Sequence, residues 1–596
     1  MNEKNVMGVF IGLESSTYEY IANIIAPYHV SFTLRIGDFL LIDNATTKIV
    51  ARVTEYRPMG ELISFMGQKW LGDVANNLDA IGSDIKEKKI RYSVRIKILG
   101  TLDGNSFKAG VTNLPHITSK VYKPTLNELN TIIDAANEDQ KSGNEIGNLY
   151  LDSSIRIKFK VSDLNSKRTF IFARAGYGKS NLMKIISSSW PTGEGGLIIF
   201  DPEGEYAVTG EGNNPGLMDS RPALLVTNRI EDKNLKNVYR SMKLNFKDLE
   251  PEFIIPIIVN SAKHETIFFS KLMGMEKDKW GELVDLLYRD KWRSDLTEVA
   301  RIITGNETIE NMQPVLNNLV TPIMKLHDPT SHLMNIITEA MKREEVVIVD
   351  ISLLDSKTAL QFSSLIVKYI FNNNQIHFTG NNAGLIKTTF VMEEAQSVLG
   401  ASTEYQSFVE LAKEGRKYKL GGIFITQQPG SIPQDILSQG DNFFIFHLLS
   451  KGDLDSLKRS NAHYSDDILT QILSEPIRGK CYMWTSSQPF VLPVTIDNFQ
   501  DKVKPNQSVG IQSKNDILSD ILKSISEEKN ILQGIKIKAI DIENNSPANT
   551  NNNTKELYKE LTEEEKEYLR EEGLLQTNQM GQEFAVKTKF YNSLKK

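Results

Sequence analysis

The chain has 596 residues, of which 40% are hydrophobic and 24% charged, and its formal net charge is −6. That length is too great for one hydrophobic core and calls for about two to four domains, while the composition excludes a disordered chain. The acidic balance excludes a global basic footprint for nucleic acid, though not a local one, and the single Cys481 excludes intramolecular disulfides and a four-cysteine zinc site.

Residues 1–125 read as a small β-barrel. "GDFLLIDNATTKIVARVTEY" (37–56) has two apolar runs around a polar Asn/Thr turn, a hairpin signal. "YSVRIKILG" (92–100) alternates, with Tyr92, Val94, Ile96 and Ile98 on one face. The polar stretch "NEDQKSGNEIG" (137–147) reads as a linker. Neither the start, "MNEKNVMGVFIGLESS", nor the longest apolar runs, such as "FIIPIIV" (253–259), supply a signal peptide or a membrane helix of roughly 20 residues. A cytoplasmic protein without a membrane segment is therefore expected.

From residue 148 the pattern becomes that of an α/β fold. "GLIIFD" (196–201), "EVVIVDIS" (345–352), "TTFVMEE" (388–394), "GGIFITQQ" (421–428) and "NFFIFHLL" (442–449) are near-continuous apolar runs. Separated by helical stretches, they argue a parallel sheet covered on both faces. The core is assigned to 148–206 and 345–500. Residues 207–344, with amphipathic pieces such as "GELVDLLYRD" (281–290), read as a helical insertion. A helical extension (501–541), a disordered Asn-rich linker (542–556) and a small C-terminal unit (557–596) follow. Thr562 and Glu565 stand there in capping-box spacing, with Gly573 as the stop.

The chemistry concentrates in a few motifs. "RTFIFARAGYGKSNLMKII" (168–186) has strand, glycine loop and helix in the order a phosphate-binding loop requires, but Ala173 replaces the first glycine of G-x-x-x-x-G-K-[ST]. Ala175, Gly176, Tyr177, Gly178, Lys179, Ser180 and Asn181 are the expected nucleotide contacts. Lys179 is expected to reach the β- and γ-phosphates of ATP, and Ser180 to hold Mg²⁺. Such a loop needs carboxylates at a neighbouring strand end. Asp350 is one candidate. The pair Glu393–Glu394 is the better one, with Glu393 acting on Mg²⁺ and Glu394 as the catalytic base. "FDPEGEY" (200–206) adds Asp201, Glu203 and Glu205 after another strand. Gln427, at a strand end, is placed to sense the γ-phosphate, and Arg416 to reach a neighbouring subunit's γ-phosphate.

Taken in order, "ARAGYGKS", "LIIFDPEGEY", "VVIVDIS", "FVMEEAQ", "EGRKYKLGGIFITQQPGSIP" and "ILSQGDNFFIFHLLS" resemble the HerA family of the FtsK–HerA P-loop ATPases. The resemblance covers nearly all of the first 500 residues. It implies a HAS-barrel-like N-terminal domain, a RecA-like core with a helical insertion, and a homo-hexameric ring that translocates on double-stranded DNA through its pore. It also implies an effector partner docked on the barrel, a nuclease or a sirtuin-like NADase, in antiphage defence or DNA processing. The chain departs from the family pattern at Ala173, at Glu203 where relatives carry His, and at Gln396 where they carry His after "EEA". The alternative is a ring-shaped scaffold that regulates an effector, with ATP as a switch. A conjugation-type coupling ATPase would call for an N-terminal membrane segment, which the sequence does not show.

Overall fold

The structure is a computed structural model. It describes residues 6–14, 19–27, 33–73, 88–111, 114–209, 214–229, 235–259, 266–307, 312–378, 384–400, 406–503, 516–545, 550–572, 574–578 and 582–594. The chain divides into two compact units. One comprises Met1–Lys160, Phe172–Gly178 and Asn442–Asp497; the other comprises Val161–Ile171, Lys179–Asp441 and Asn498–Lys596.

In the first unit, six strands close a ring. Ile21–Pro27, Val6–Leu13, Lys120–Tyr122, Phe39–Asn44, Thr47–Met59 and Arg91–Asp103 are neighbours in that order, and the last pairs back with the first. Closure gathers one face of every strand of the ring inside, while Ser106–Ala109 pairs onto Arg91–Asp103 as an extra strand. Phe10, Ile24, Leu40, Ile42, Ile49, Val53, Val94, Ile96 and Ile98 form that interior. The hairpin expected at 37–56 is present, and its turn places Ala45 at φ 50°. The alternation expected at 92–100 holds, with Val94, Ile96 and Ile98 buried and Arg95 exposed.

The same unit holds an antiparallel sheet of Asn442–Ile445, Lys480–Thr485, Leu492–Ile496, Asn144–Leu149 and Asp152–Phe159. The sequence reading treated 137–147 as a linker, and the structure corrects that. Gln140 is fully buried and accepts the Lys160 amide at 2.7 Å, while Asn137 donates to the Lys158 carbonyl at 2.8 Å and accepts from Gln488 at 2.7 Å. Asn137 and Gln140 are buried because each finds a partner, while Glu138, Asp139, Lys141, Ser142, Asn144 and Glu145 of the same stretch are exposed.

The second unit is built on a parallel sheet. Its strand order is Val238–Tyr239, Leu224–Val226, Val346–Asp350, Gly196–Asp201, Thr388–Met392, Leu420–Thr426 and Arg168–Phe172. The register aligns Asp201 with Asp350, and Phe200 with both Val349 and Met392, so these strands end level with one another. Phe200 lies parallel to Phe390 at 6.4 Å and edge-on to Phe408 at 6.3 Å. Burying each such side chain contributes about 1.5–3 kcal/mol, which fixes the level of the strand ends.

Within 207–344 the helices expected are present, among them Lys277–Asp290 and Met312–Leu326. The reading missed Leu224–Val226 and Val238–Tyr239, strands of three and two residues that join the sheet edge.

Past residue 500, a helix of 29 residues runs from Ile517 to Asn545. The expected disordered linker at 542–556 is corrected: a second helix spans Thr550–Glu560, and 546–549 lie outside the described residues. Leu557 packs with Ile535, Ala539, Ile542, Leu569 and Tyr591 in a separate small core, and Asn553 donates to Glu543 at 3.1 Å. The Thr562–Glu565 capping box is formed, and Gly573 lies outside the described residues. Among the described residues, no helix is long and apolar enough to cross a membrane.

Candidate functional site

Strand Arg168–Phe172 is buried from Thr169 onward and delivers the chain into the loop 173–178. Gly176 sits at φ 78° and Gly178 at φ 114°, conformations that a side chain would strain. Ala173 is fully buried and has no left-handed backbone, so the missing glycine costs the turn nothing. Within the first unit the Tyr177 ring lies 4.8 Å from the ring of buried His447 and its carbonyl accepts the Gly479 amide at 3.2 Å, which fixes the loop's shape. Helix Lys179–Ser188 follows at once. The amides of its first turn have no acceptor within the helix, as an anion-binding terminus requires. Ala175 lies in the loop, and Lys179 and Ser180 are half-buried at the helix start. The Asn181 oxygen accepts the amide of Phe499 at 2.8 Å, so this side chain anchors the segment after residue 498.

In the second unit the strand ends collect carboxylates. Asp201 has no exposed surface and accepts the amides of Glu203, Gly204, Glu205 and Tyr206 at 2.7–3.3 Å. It closes the "DPEGEY" turn on itself, and burial pushes its pKa up to about 6. Tyr206, fully buried at the end of that turn, donates its hydroxyl to Glu393 Oε1 at 2.5 Å. Burial raises the Glu393 pKa to about 7, against the opposing pull of the Tyr206 hydrogen bond and the Lys179 charge. Lys179 and Glu393 thus stand close enough to feel each other's charge. Asp350 accepts Thr227 Oγ1 at 2.8 Å and Ser352 Oγ at 2.6 Å and pairs with Arg229 at 2.9 Å. Asp350 is thus held by two hydroxyls and a guanidinium at the end of its strand.

Glu394 is half-buried at φ 51°, a left-handed backbone that non-glycine residues hold only under constraint. Gln396 donates to its Oε2 at 2.5 Å. Thr426, buried at the end of the next strand, donates to Gln396 Oε1 at 2.5 Å, and Gln427 follows it half-buried.

Arg416 stands elsewhere. It precedes strand Leu420–Thr426, is 63% exposed, and lies 3.4 Å from Asp441, which also pairs with Arg168 at 3.2 Å. A seven-residue strand is about 20 Å long, so Arg416 sits at the opposite end of the sheet from its own chain's carboxylates.

Among the described residues no group of three or more His, Cys, Asp or Glu could hold a metal by itself. A hydroxyl at Ser180 and a carboxylate at Glu393 fit Mg²⁺, which takes one or two protein oxygens and completes its shell with phosphates and water. The site gathers a lysine on a helix N-terminus, oxygen donors for a hard cation, and a constrained carboxylate. That set can bind a nucleotide phosphate chain and activate a water against it. The sequence reading names Lys179, Ser180, Glu393, Glu394 and Gln427 as site residues. It missed Tyr206 on Glu393, Thr227 and Arg229 on Asp350, and the Thr426–Gln396 link. The one signal for these was Gln396, already noted as unusual.

Residues 144–370 match the family model described as Helicase HerA, central domain. The chain is 23% identical over 487 residues to the DNA double-strand break repair helicase HerA of Sulfolobus acidocaldarius, covering 79% of this chain and 90% of that protein. It is 24% identical over 562 residues to the protein of the same description from Pyrococcus furiosus, covering 83% and 93%. Among solved structures it is similar to the plasmid coupling protein TrwB in complex with a non-hydrolysable GTP analogue, at 9% identity and a TM-score of 0.42, covering 61% and 91%.

Proposed function

We infer the activity from one premise: the chain belongs to the HerA family of helicases and is an ATPase. We propose that it hydrolyses ATP to drive movement along double-stranded DNA. The observation that carries the reading is the level array of strand ends: Glu393–Glu394 beside Asp201, with Lys179 within charge range of Glu393.

In the proposed mechanism the loop amides, with Gly176, Tyr177 and Gly178, enclose the phosphate chain. Lys179 neutralises the β- and γ-phosphate oxygens. Ser180 and Glu393 would hold Mg²⁺, which would supply neutralisation of the phosphate charge. Glu394 accepts a proton from the water that attacks the γ-phosphorus. The bond to the β–γ bridging oxygen breaks, and ADP and phosphate leave. Gln427 contacts the γ-phosphate from the adjacent strand end. Arg416, too far from its own site, serves the site of a neighbouring copy. That division of labour requires a neighbouring copy, and a homo-hexameric ring enclosing duplex DNA is the form we propose, in the cytoplasm.

The barrel is the proposed docking surface for an effector, a nuclease or a sirtuin-like NADase in antiphage defence. What supports it is the outer face of strand Val6–Leu13, where Val9, Ile11 and Leu13 are exposed while Phe10 is buried.

The test is steady-state ATP hydrolysis with and without linear duplex DNA, with Lys179→Ala as the blank. A DNA-stimulated rate that vanishes in the variant supports the proposal. A rate equal to that of Lys179→Ala overturns it and leaves the scaffold reading.

A further inference from the structure

Glu394 holds an unfavourable backbone conformation, so something must fix where its carboxylate points. Its immediate neighbours do part of this: the Ser397 amide bonds the Glu394 carbonyl at 2.9 Å, and the Ala395 amide bonds the Ile425 carbonyl of the adjacent strand at 2.9 Å. These bonds seat the turn on the end of strand Leu420–Thr426 but leave the side chain's torsions free.

The side chain is set by a second group of bonds, and their directions are forced. An ionised carboxylate only accepts, so the Gln396 nitrogen must face Glu394 Oε2, as it does at 2.5 Å. The Gln396 oxygen then faces the other way and can only accept. Its partner Thr426 Oγ1, at 2.5 Å, must therefore be the donor. That hydroxyl's lone pair takes the amide of Gln428 at 3.0 Å. The chain of donors runs one way, from the backbone after Gln427 through Thr426 and Gln396 to Glu394. Thr426 has no exposed surface, so water does not compete for its bond.

We propose that Gln396 is the positioning residue of the general base, and that Thr426 orients it in turn. The relay ties the carboxylate's direction to the strand end that presents Gln427. The proposal rests on Glu394 being the base.

Four variants test it. Gln396→Met keeps length and removes both bonds. Gln396→Glu keeps the acceptor toward Thr426 and removes the donor toward Glu394. Thr426→Val removes the upstream donor, and Thr426→Ser keeps it. Expected are a tenfold or greater fall in kcat for both Gln396 variants, with KM for ATP and binding of a fluorescent ATP analogue within twofold of wild type. Thr426→Val falls less, Thr426→Ser recovers the rate lost in Thr426→Val, and the Gln396→Met/Thr426→Val double variant is no slower than Gln396→Met alone, because both changes cut one chain.

Independent, multiplying effects of the two substitutions overturn the relay. So does a Gln396→Met enzyme within twofold of wild type, or one changed in KM alone. Glu394→Gln, measured alongside, separates the two layers. If it is inactive while Gln396→Met is normal, the relay fails and the base stands. If it turns over normally, the base assignment fails and the relay with it.

Discussion

Glu393→Gln should stabilise the protein above neutral pH while stopping its catalysis. The carboxyl is buried, and burial raises its pKa from 4.5 to about 7. A raised value means the folded chain holds the proton more tightly than the unfolded chain does. Below pH 4.5 both states are protonated and the group costs nothing. As pH rises toward 7 the unfolded chain ionises freely, while the folded chain must ionise against burial. The cost reaches its full value above pH 7. A difference of about 2.5 in pKa, at about 1.36 kcal/mol each, makes that value about 3 kcal/mol. The carboxamide has no charge to bury, and its oxygen can still accept the Tyr206 hydroxyl. The assay is urea unfolding of both proteins in EDTA without nucleotide, from pH 4.5 to 8. The stabilities should coincide at the acid end, and the variant should lead by up to about 3 kcal/mol at pH 8. A gap that does not change with pH, or a wild type that gains on the variant as pH rises, would refute the reasoning.

Glu394→Gln should bind ATP and fail to hydrolyse it. Filter binding of labelled ATP should show one retained nucleotide per competent site and no released phosphate; normal release would reassign the base. Arg416→Ala should lose about 10³-fold in rate, the scale of an arginine supplied in trans. Mixing it with Lys179→Ala, which supplies an intact Arg416, should restore part of the activity, because each copy supplies what the other lacks; inactivity of every mixture would refute action between copies. Asp201→Ala should unfold the "DPEGEY" turn at a cost of at least about 2 kcal/mol, since four amides lose their shared acceptor. Unchanged denaturant stability would contradict that role.

The parts of the site legible in the sequence were those encoded locally. Glu393 and Glu394 stood out because two charges directly after a strand's apolar run mark its C-terminal end, and Lys179 because its loop has fixed spacing. The barrel's Val94, Ile96 and Ile98 declared themselves by period. What could not be read depends on partners far along the chain. Tyr206 and Glu393 are 187 residues apart, and Asn137 and Gln488 are 351 apart. A polar stretch with distant partners has the composition of a linker, as residues 137–147 and 542–556 did. Leu224–Val226 is too short to show a period at all. Arg416 was assigned to a neighbouring copy from its place on a charged helix and by resemblance, and the structure puts it at the far end of the sheet from its own chain's carboxylates.

The central claim is that ATP hydrolysis at this site moves the protein along duplex DNA. Displacement of a triplex-forming strand from a linear duplex tests it without requiring the duplex to open. Wild-type protein with ATP and Mg²⁺ should release the third strand, and Lys179→Ala, or wild type with a non-hydrolysable ATP analogue, should not. Hydrolysis that proceeds on the same DNA while the third strand stays bound would contradict the claim.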